Sequence, residues 1–304
     1  MRAVVIGAVE STSIAAGAIA SADDWTLAAL FTLAPDLAAR HSDFHDLAPV
    51  ALSAGAELVP VDRINDAANV AGLAAYQPDF IFVVGWSQIC GPDLMAIAPG
   101  RVIGYHPAAL PRMRGRAAIP WTILAGEPIT AGTLFWMDEG VDTGAILDQQ
   151  FFHVSPAETA ATLYRKHMGA LGTMMARTLP DLVSGRPRRD PQDELHATWA
   201  TRRTAEDGAI DWRRPAKEIH RLVRAVGHPY PGSFTSVGSD RLTIWSAELS
   251  DVGERFCALP GQIIERTPAM FTVACGDGTA LTVTDWSRPG GRMPALHAIL
   301  GREA

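Results

Sequence analysis

Residues Val102–Gly115 read VIGYHPAALPRMRG. An apolar, strand-like run closes on His106, and two prolines then pin a loop that carries two arginines. A histidine at the end of a strand matters most where the strand belongs to an open parallel sheet, because there the carboxyl ends border the ligand crevice. The flanking sequence points to such a sheet. Strand-like and helix-like segments alternate through the first 150 residues: RAVVIGA, STSIAAGAIAS, WTLAALFTLA, then AELVPV and PDFIFVVGW. Nearly continuous apolar strands separated by amphipathic stretches fit a mostly parallel sheet covered on both faces, an α/β, Rossmann-like arrangement. The turn after the first strand, GAVES, lacks GxGxxG, which argues against a dinucleotide.

The chain of 304 residues is long enough for one large or two smaller cores. With 48% apolar and 19% charged residues it reads as globular. A net charge of −7 gives no general attraction for nucleic acid or an anionic membrane surface. Cys90, Cys257 and Cys275 are odd in number and lack CxxC spacing, which fits a reducing compartment. The opening AVVIG resembles a first strand and not a signal peptide, and no apolar run reaches the ~18 residues of a membrane span. A soluble, cytoplasmic protein without a membrane partner is expected. His41 and His45 have the spacing to share a metal on a helix, but no third ligand is in view and no metal is expected.

A helix is expected from Ser155, with Glu158 completing a capping box, Pro156 in the first turn and Gly185 past the end. Leu163, Leu171, Met174, Met175, Leu179 and Leu182 fall on its buried side. The aperiodic, proline- and charge-rich stretch that follows reads as a linker. Beyond it, IDWRRPAKEIHRLVRAV looks like one helix, and GDG between two alternating runs signals a hairpin. His220 and His228 read as surface residues. The expected layout is a domain over 1–184, a linker over 185–204, and a small β-barrel-like, OB-like domain over 205–304.

Asp142, in FWMDEGVDTG, also follows an apolar run. Together the two side chains read as an acid–base unit: the carboxylate sets the imidazole tautomer and stabilises the imidazolium once the histidine takes a proton.

His106-Pro107, Leu110-Pro111 and Arg114-Gly115, followed by Asp138, Gly140, Asp142, Thr143 and Gly144, resemble the signature of the folate-dependent formyltransferases. The resemblance continues through IDWRRPAKEIHRLVRAVGHPYPGSF into the C-terminal part. It implies transfer of the formyl group of 10-formyltetrahydrofolate to an amine or hydroxylamine of a small metabolite, such as an amino sugar or modified amino acid. That reaction passes through a tetrahedral oxyanion and needs a donor for the oxygen and a base for the amine. By the same resemblance His106 is the acid–base or oxyanion donor and Asp142 orients it. Trp86, Ser87, Gln88, Asp138, Glu139, Gly140 and Val141 are nominated for folate, and Arg114, Tyr105 and Pro107 for the acceptor.

One position departs from the pattern. Where these enzymes usually carry Asn in N-x-H, this chain has Gly104, which removes a side-chain donor worth about 3 kcal/mol in the transition state. The closely similar YHPSLLPRHRG-like segment of formyltetrahydrofolate dehydrogenase's hydrolase domain also lacks that Asn, so Gly104 joins the catalytic candidates and hydrolysis of the folate is an alternative. Methionyl-tRNA formylation is another. The region matching the tRNA enzyme's basic insertion holds only Arg40, although Arg186, Arg188, Arg189, Arg202 and Arg203 lie in the linker. A folate-binding protein without turnover is a third alternative.

Overall fold

The computed structural model describes residues 1–40 and 43–302. Its chain divides into two compact units. One comprises Met1–Ala118, Pro128–His153 and Tyr164–Thr201; the other takes Ile119–Glu127, Val154–Leu163 and the chain from Arg202 onward.

The first unit is built on a seven-stranded sheet. Its N-terminal half alternates β1 (Arg2–Ile6), α1 (Glu10–Ala20), β2 (Thr26–Leu33), α2 (Ala48–Ala54), β3 (Glu57–Val61), α3 (Ala67–Ala75), β4 (Phe80–Val83), α4 (Pro92–Met95) and β5 (Val102–His106). There follow a two-residue strand β6 (Arg114–Gly115), β7 (Ile129–Trp136) and β8 (Ile146–His153); helix α5 (Ala118–Ala125), between β6 and β7 in the chain, belongs from Ile119 to the other unit. The sheet order is β3-β2-β1-β4-β5-β7-β8. The first five strands run parallel, and β7 and β8 add antiparallel at the far edge.

Strand β1 shows why these sequences form a two-sided sheet. Ala3, Val4, Val5 and Ile6 are all fully buried. Ala3 and Val5 pack in one cluster with Ala15, Ile19, Met174 and Leu179, whereas Val4 and Ile6 pack in another with Phe31, Ile64, Leu73 and Leu94. A strand with side chains alternating between two apolar layers cannot show polar alternation, which is why it reads as a continuous apolar run. The chain winds outward from β1 to β3 and then returns to β4 on the other side of β1, placing the topological switch between β1 and β4.

Helix α6 (Ala160–Val183) begins later than the sequence pattern suggests. Glu158 Oε2 does accept the Ser155 N–H at 3.0 Å, yet Pro156 and Ala157 form a turn and the helix starts after Thr159, whose Oγ1 accepts from the Thr162 N–H. The named apolar residues are buried as expected, and Gly185 ends the helix with φ 71°.

The stretch read as a linker is not free chain. Asp190 exchanges two backbone hydrogen bonds with Ile146, at 2.7 and 3.0 Å, and β9 (Trp199–Ala200) pairs in parallel with β6. Of its arginines, Arg188 pairs with Asp190, Arg189 stacks on the Trp136 ring at 3.6 Å, and Arg203 lies over Trp121.

The second unit carries α7 (Ala216–Val226) and a five-stranded antiparallel sheet. Its strands are β10 (Ser233–Val237), β11 (Asp240–Ser250), β12 (Ile263–Arg266), β13 (Phe271–Ala274) and β14 (Ala280–Ser287), in the order β10-β11-β14-β13-β12. Helix α7 starts only after Pro215, so residues 210–214 are not helical as the sequence suggested. Ile219 and Val223 of the helix pack with Ile244, Val273 and Leu281 of the sheet. The GDG signal holds: Gly278, at φ 80°, turns β13 into β14. No helix among the described residues is long and apolar enough to cross a membrane.

Candidate active site

His106 is the last residue of β5 and is 5% exposed. Its Nε2 donates to the Met113 carbonyl at 2.7 Å, and its Nδ1 lies 3.5 Å from Asp142 Oδ2. The same carboxylate oxygen accepts the Gly115 N–H at 2.8 Å. Residues 113–115 therefore touch both partners, one through a carbonyl and the other through an amide. Both ring nitrogens face acceptors; a doubly protonated ring satisfies both, and a neutral ring only one.

This arrangement uses backbone that few residues adopt. Met113, Gly115, Ala117 and Asp142 have φ of 58°, 105°, 56° and 55°. Left-handed non-glycine residues cost of order 1 kcal/mol each and persist where surrounding contacts over-determine them. At Gly115 a side chain is excluded outright, since a Cβ would lie 2.5 Å from the Ala200 carbonyl oxygen.

The loop carrying Asp142 is locked in turn. Asp138 Oδ1 accepts from the Gly140 N–H at 3.0 Å and from the Thr143 hydroxyl at 2.6 Å. A Cβ on Gly144 would meet the Trp136 carbonyl oxygen at 1.6 Å, so the loop packs against β7 only with glycine there. The spacing of Asp138, Gly140, Asp142, Thr143 and Gly144 thus has a local physical cause.

Residues 1–179 match the sequence profile of formyl transferase, and residues 202–302 match that of the formyl transferase C-terminal domain. The chain belongs to the formyl transferase family. Among solved structures it is similar to WlaRD, a sugar 3N-formyl transferase determined in the presence of dTDP and 5-N-formyl-THF: 18% identity, TM-score 0.68, covering 93% of this chain and 97% of that one. It is also similar to the N-formyltransferase from Helicobacter canadensis in complex with folinic acid and dTDP-3-aminofucose, with 17% identity, TM-score 0.68 and coverage of 93% and 98%. HypX from Aquifex aeolicus, in complex with tetrahydrofolic acid, matches at 18% identity and TM-score 0.68 over 94% of this chain but 44% of its own.

In this formyl transferase the nominated residues fall into three groups. His106, Asp142 and the glycine-bearing loop meet as described, whereas Glu139 and Val141 sit exposed on that loop. Pro107 follows the histidine, half-buried. Trp86, Ser87 and Gln88 follow β4. Ser87 and Gln88 line a cleft of about 490 Å³ with Leu33, Asp62, Arg63 and Asn65, at the carboxyl ends of β2, β3 and β4. Gln88 ties the walls together, donating to the Asp62 carbonyl and accepting from the Ile64 N–H. The indole N–H of Trp86 is buried and has no hydrogen-bond partner among the described residues.

The third group has structural partners instead. Tyr105 alternates to the opposite face of β5 and reaches His167, its hydroxyl 3.2 Å from Nδ1 and from the His167 carbonyl oxygen. Burial raises its pKa well above the usual phenol range. Arg114 is 1% exposed, with Nε and Nη2 donating to Gln192 Oε1 and both Nη atoms donating to Glu194. The hydrogen bonds with Glu194 hold the guanidinium pKa up and the carboxyl pKa down. Its guanidinium hydrogen-bonds within the protein, to Gln192 and Glu194. His41, half of the histidine pair, lies outside the described residues.

Gly104 is where the resemblance expects asparagine. A Cβ there would lie 2.7 Å from Phe135 Cζ and 3.2 Å from Met137 Cγ, so the ring of a buried β7 residue crowds the space a side chain would enter. Gly104→Asn is expected to destabilise the protein by about 1–3 kcal/mol through overpacking, measured by urea denaturation. Unchanged stability would mean that Phe135 yields freely.

Several site residues carried no advance signal. Met113 contributes its carbonyl and Gln192 its amide, neither of which follows from residue type. Asp62 and Arg63 could have been found, since they directly follow a strand and strand ends border the crevice.

Proposed function

We propose that this formyl transferase moves the formyl group of 10-formyltetrahydrofolate to the amine of a small metabolite, an amino sugar in the first instance. The observation that carries the reading is the pairing of buried His106 with half-buried Asp142, joined through residues 113–115 at a strand end in a formyl transferase domain. The 5-N-formyl-THF and dTDP present with WlaRD, and the folinic acid and dTDP-3-aminofucose in complex with the Helicobacter canadensis enzyme, support the donor and acceptor classes.

The residues present fit a folate. The cleft beside Ser87 and Gln88 is large enough for part of a drug-sized ligand, and the orphaned Trp86 N–H lacks the acceptor a buried donor requires. Trp86, Ser87, Gln88 and the loop Asp138–Val141 would hold it. When bound, it supplies a formyl carbon on N10 to the attacking amine. As the new C–N bond forms, His106 takes the proton the amine loses and returns it to N10 as the old C–N bond breaks. Since Nδ1 faces the carboxylate, the ring nitrogen that exchanges this proton is Nε2: it must leave the Met113 carbonyl as substrate enters, with the neutral ring's own proton carried on Nδ1 toward Asp142 so that the Nε2 lone pair is free to accept. Asp142 stabilises the imidazolium formed in between.

Tetrahydrofolate release from 10-formyltetrahydrofolate tests this reading, first without acceptor and then with dTDP-amino sugars, hydroxyornithine-like amines and charged initiator tRNA. Release dependent on an amino sugar is expected. Fast release without acceptor would replace transfer by hydrolysis, the outcome that the missing side chain at Gly104 favours.

A further inference from the structure

We infer that Gln192 is a positioning residue for Asp142, bracing the catalytic carboxylate from the segment that the sequence reads as a linker. The inference rests on the reading of His106 and Asp142 as the catalytic pair.

Gln192 is half-buried and uses its whole hydrogen-bonding capacity. Its Oε1 accepts from Arg114 Nε at 3.0 Å and Nη2 at 2.8 Å. Its Nε2 donates to the carbonyl oxygens of Asp142 at 2.8 Å and Gly144 at 2.7 Å. These partners fix the amide's orientation, because turning it over would set NH₂ against a guanidinium and oxygen against two carbonyls. Glu194 anchors the other side of Arg114, accepting at 2.9 and 2.6 Å.

The placement of the bracket gives it its effect. One amide holds the carbonyls on either side of Thr143, and so fixes the peptide planes that follow Asp142. That residue already sits at φ 55°, where the direction of its Cα–Cβ bond depends on contacts outside its own turn. Arg114 belongs to the same short strand as Gly115, whose N–H holds the Asp142 carboxylate, and follows Met113, whose carbonyl holds His106. Arg114, Gln192, Asp142 and Gly115 thus close a ring of contacts around the pair. The 3.5 Å separation of His106 and Asp142 has little slack, so a shift of the loop takes the carboxylate out of reach of the imidazole.

Two variants separate positioning from packing. Gln192→Ala removes the bracket. Gln192→Glu keeps its size and the oxygen facing Arg114 but offers no donor to the two carbonyls. For both, kcat is expected to fall about 10- to 100-fold, the effect of misplacing a reacting group by roughly 1 Å. KM for donor and acceptor should stay within about twofold, as when an interaction made only in the transition state is lost. A second readout does not depend on turnover: the amide proton of Gly115 should move upfield in NMR spectra as its bond to Asp142 loosens. Wild-type kcat and a wild-type Gly115 resonance in Gln192→Glu would overturn the inference. So would a kcat loss that follows the unfolded fraction while Gly115 is unmoved. If wild-type protein formylates no amine, the proposed function fails, and the Gly115 resonance still decides whether Gln192 braces Asp142.

Discussion

A His106→Ala protein is expected to release tetrahydrofolate roughly 10²- to 10⁴-fold more slowly than wild type, the span of general acid–base catalysis, while still binding folate. The loss should appear in kcat with KM little changed, because the proton moves only in the transition state. Asp142→Asn probes the second member. Its amide oxygen can still accept the Gly115 N–H, so the loop keeps that anchor, but the charge facing His106 Nδ1 is gone. A slower enzyme with unchanged KM is expected here also. The decisive comparison is the double variant. In the proposed mechanism Asp142 works through His106, so once the imidazole is removed the carboxylate has nothing left to stabilise, and the double variant should be no slower than His106→Ala alone. Losses that multiply would assign Asp142 a separate task, and an unimpaired His106→Ala enzyme would remove the pair from the mechanism.

The parts of this site legible in the sequence are those with a local cause. His106 ends an apolar run, and an apolar run of that length in an α/β pattern makes a strand whose end borders the crevice. Asp142 stands in a loop whose glycines answer to contacts a few residues away: Gly140 packs against Thr143 and Gly144 against the end of β7. Residues 185–204 have no period, and the sequence supplies no rule for where their hydrogen bonds go. Asp190 finds Ile146, and Thr198 meets both Met113 and Arg114. Those bonds turn an apparent linker into the frame around His106 and Asp142, and Arg114, nominated for the acceptor, is buried in that frame. Gly104 is an intermediate case. Residue type alone shows that no side-chain donor is present, but only the packing shows that Phe135 crowds the position.

His167 is expected to make the protein acid-sensitive well above the range where carboxylates protonate. The residue lies on α6 with no solvent exposure, its ring edge-on to Phe152 with centroids 4.9 Å apart. Nδ1 meets the Tyr105 hydroxyl, and Nε2 has no hydrogen-bond partner among the described residues. Burial, reinforced by the nearby His106, pushes its pKa down from 6.5 to about 3. The unfolded chain therefore takes up a proton below pH 6.5 that the folded protein refuses until about pH 3. Stability should fall with pH across that window, by about 1.4 kcal/mol per pH unit and up to about 5 kcal/mol in all. Above pH 6.5 both states hold the ring neutral and the slope from this residue vanishes. Urea denaturation of wild type and His167→Gln at pH 7.5 and pH 5 isolates the effect, since the variant removes the titrating group and leaves the other histidines in place. Wild type should lose about 2 kcal/mol more than the variant between those two conditions. Parallel losses would mean that His167 is protonated in the folded protein, with Nε2 satisfied by a partner that reaches it through the core.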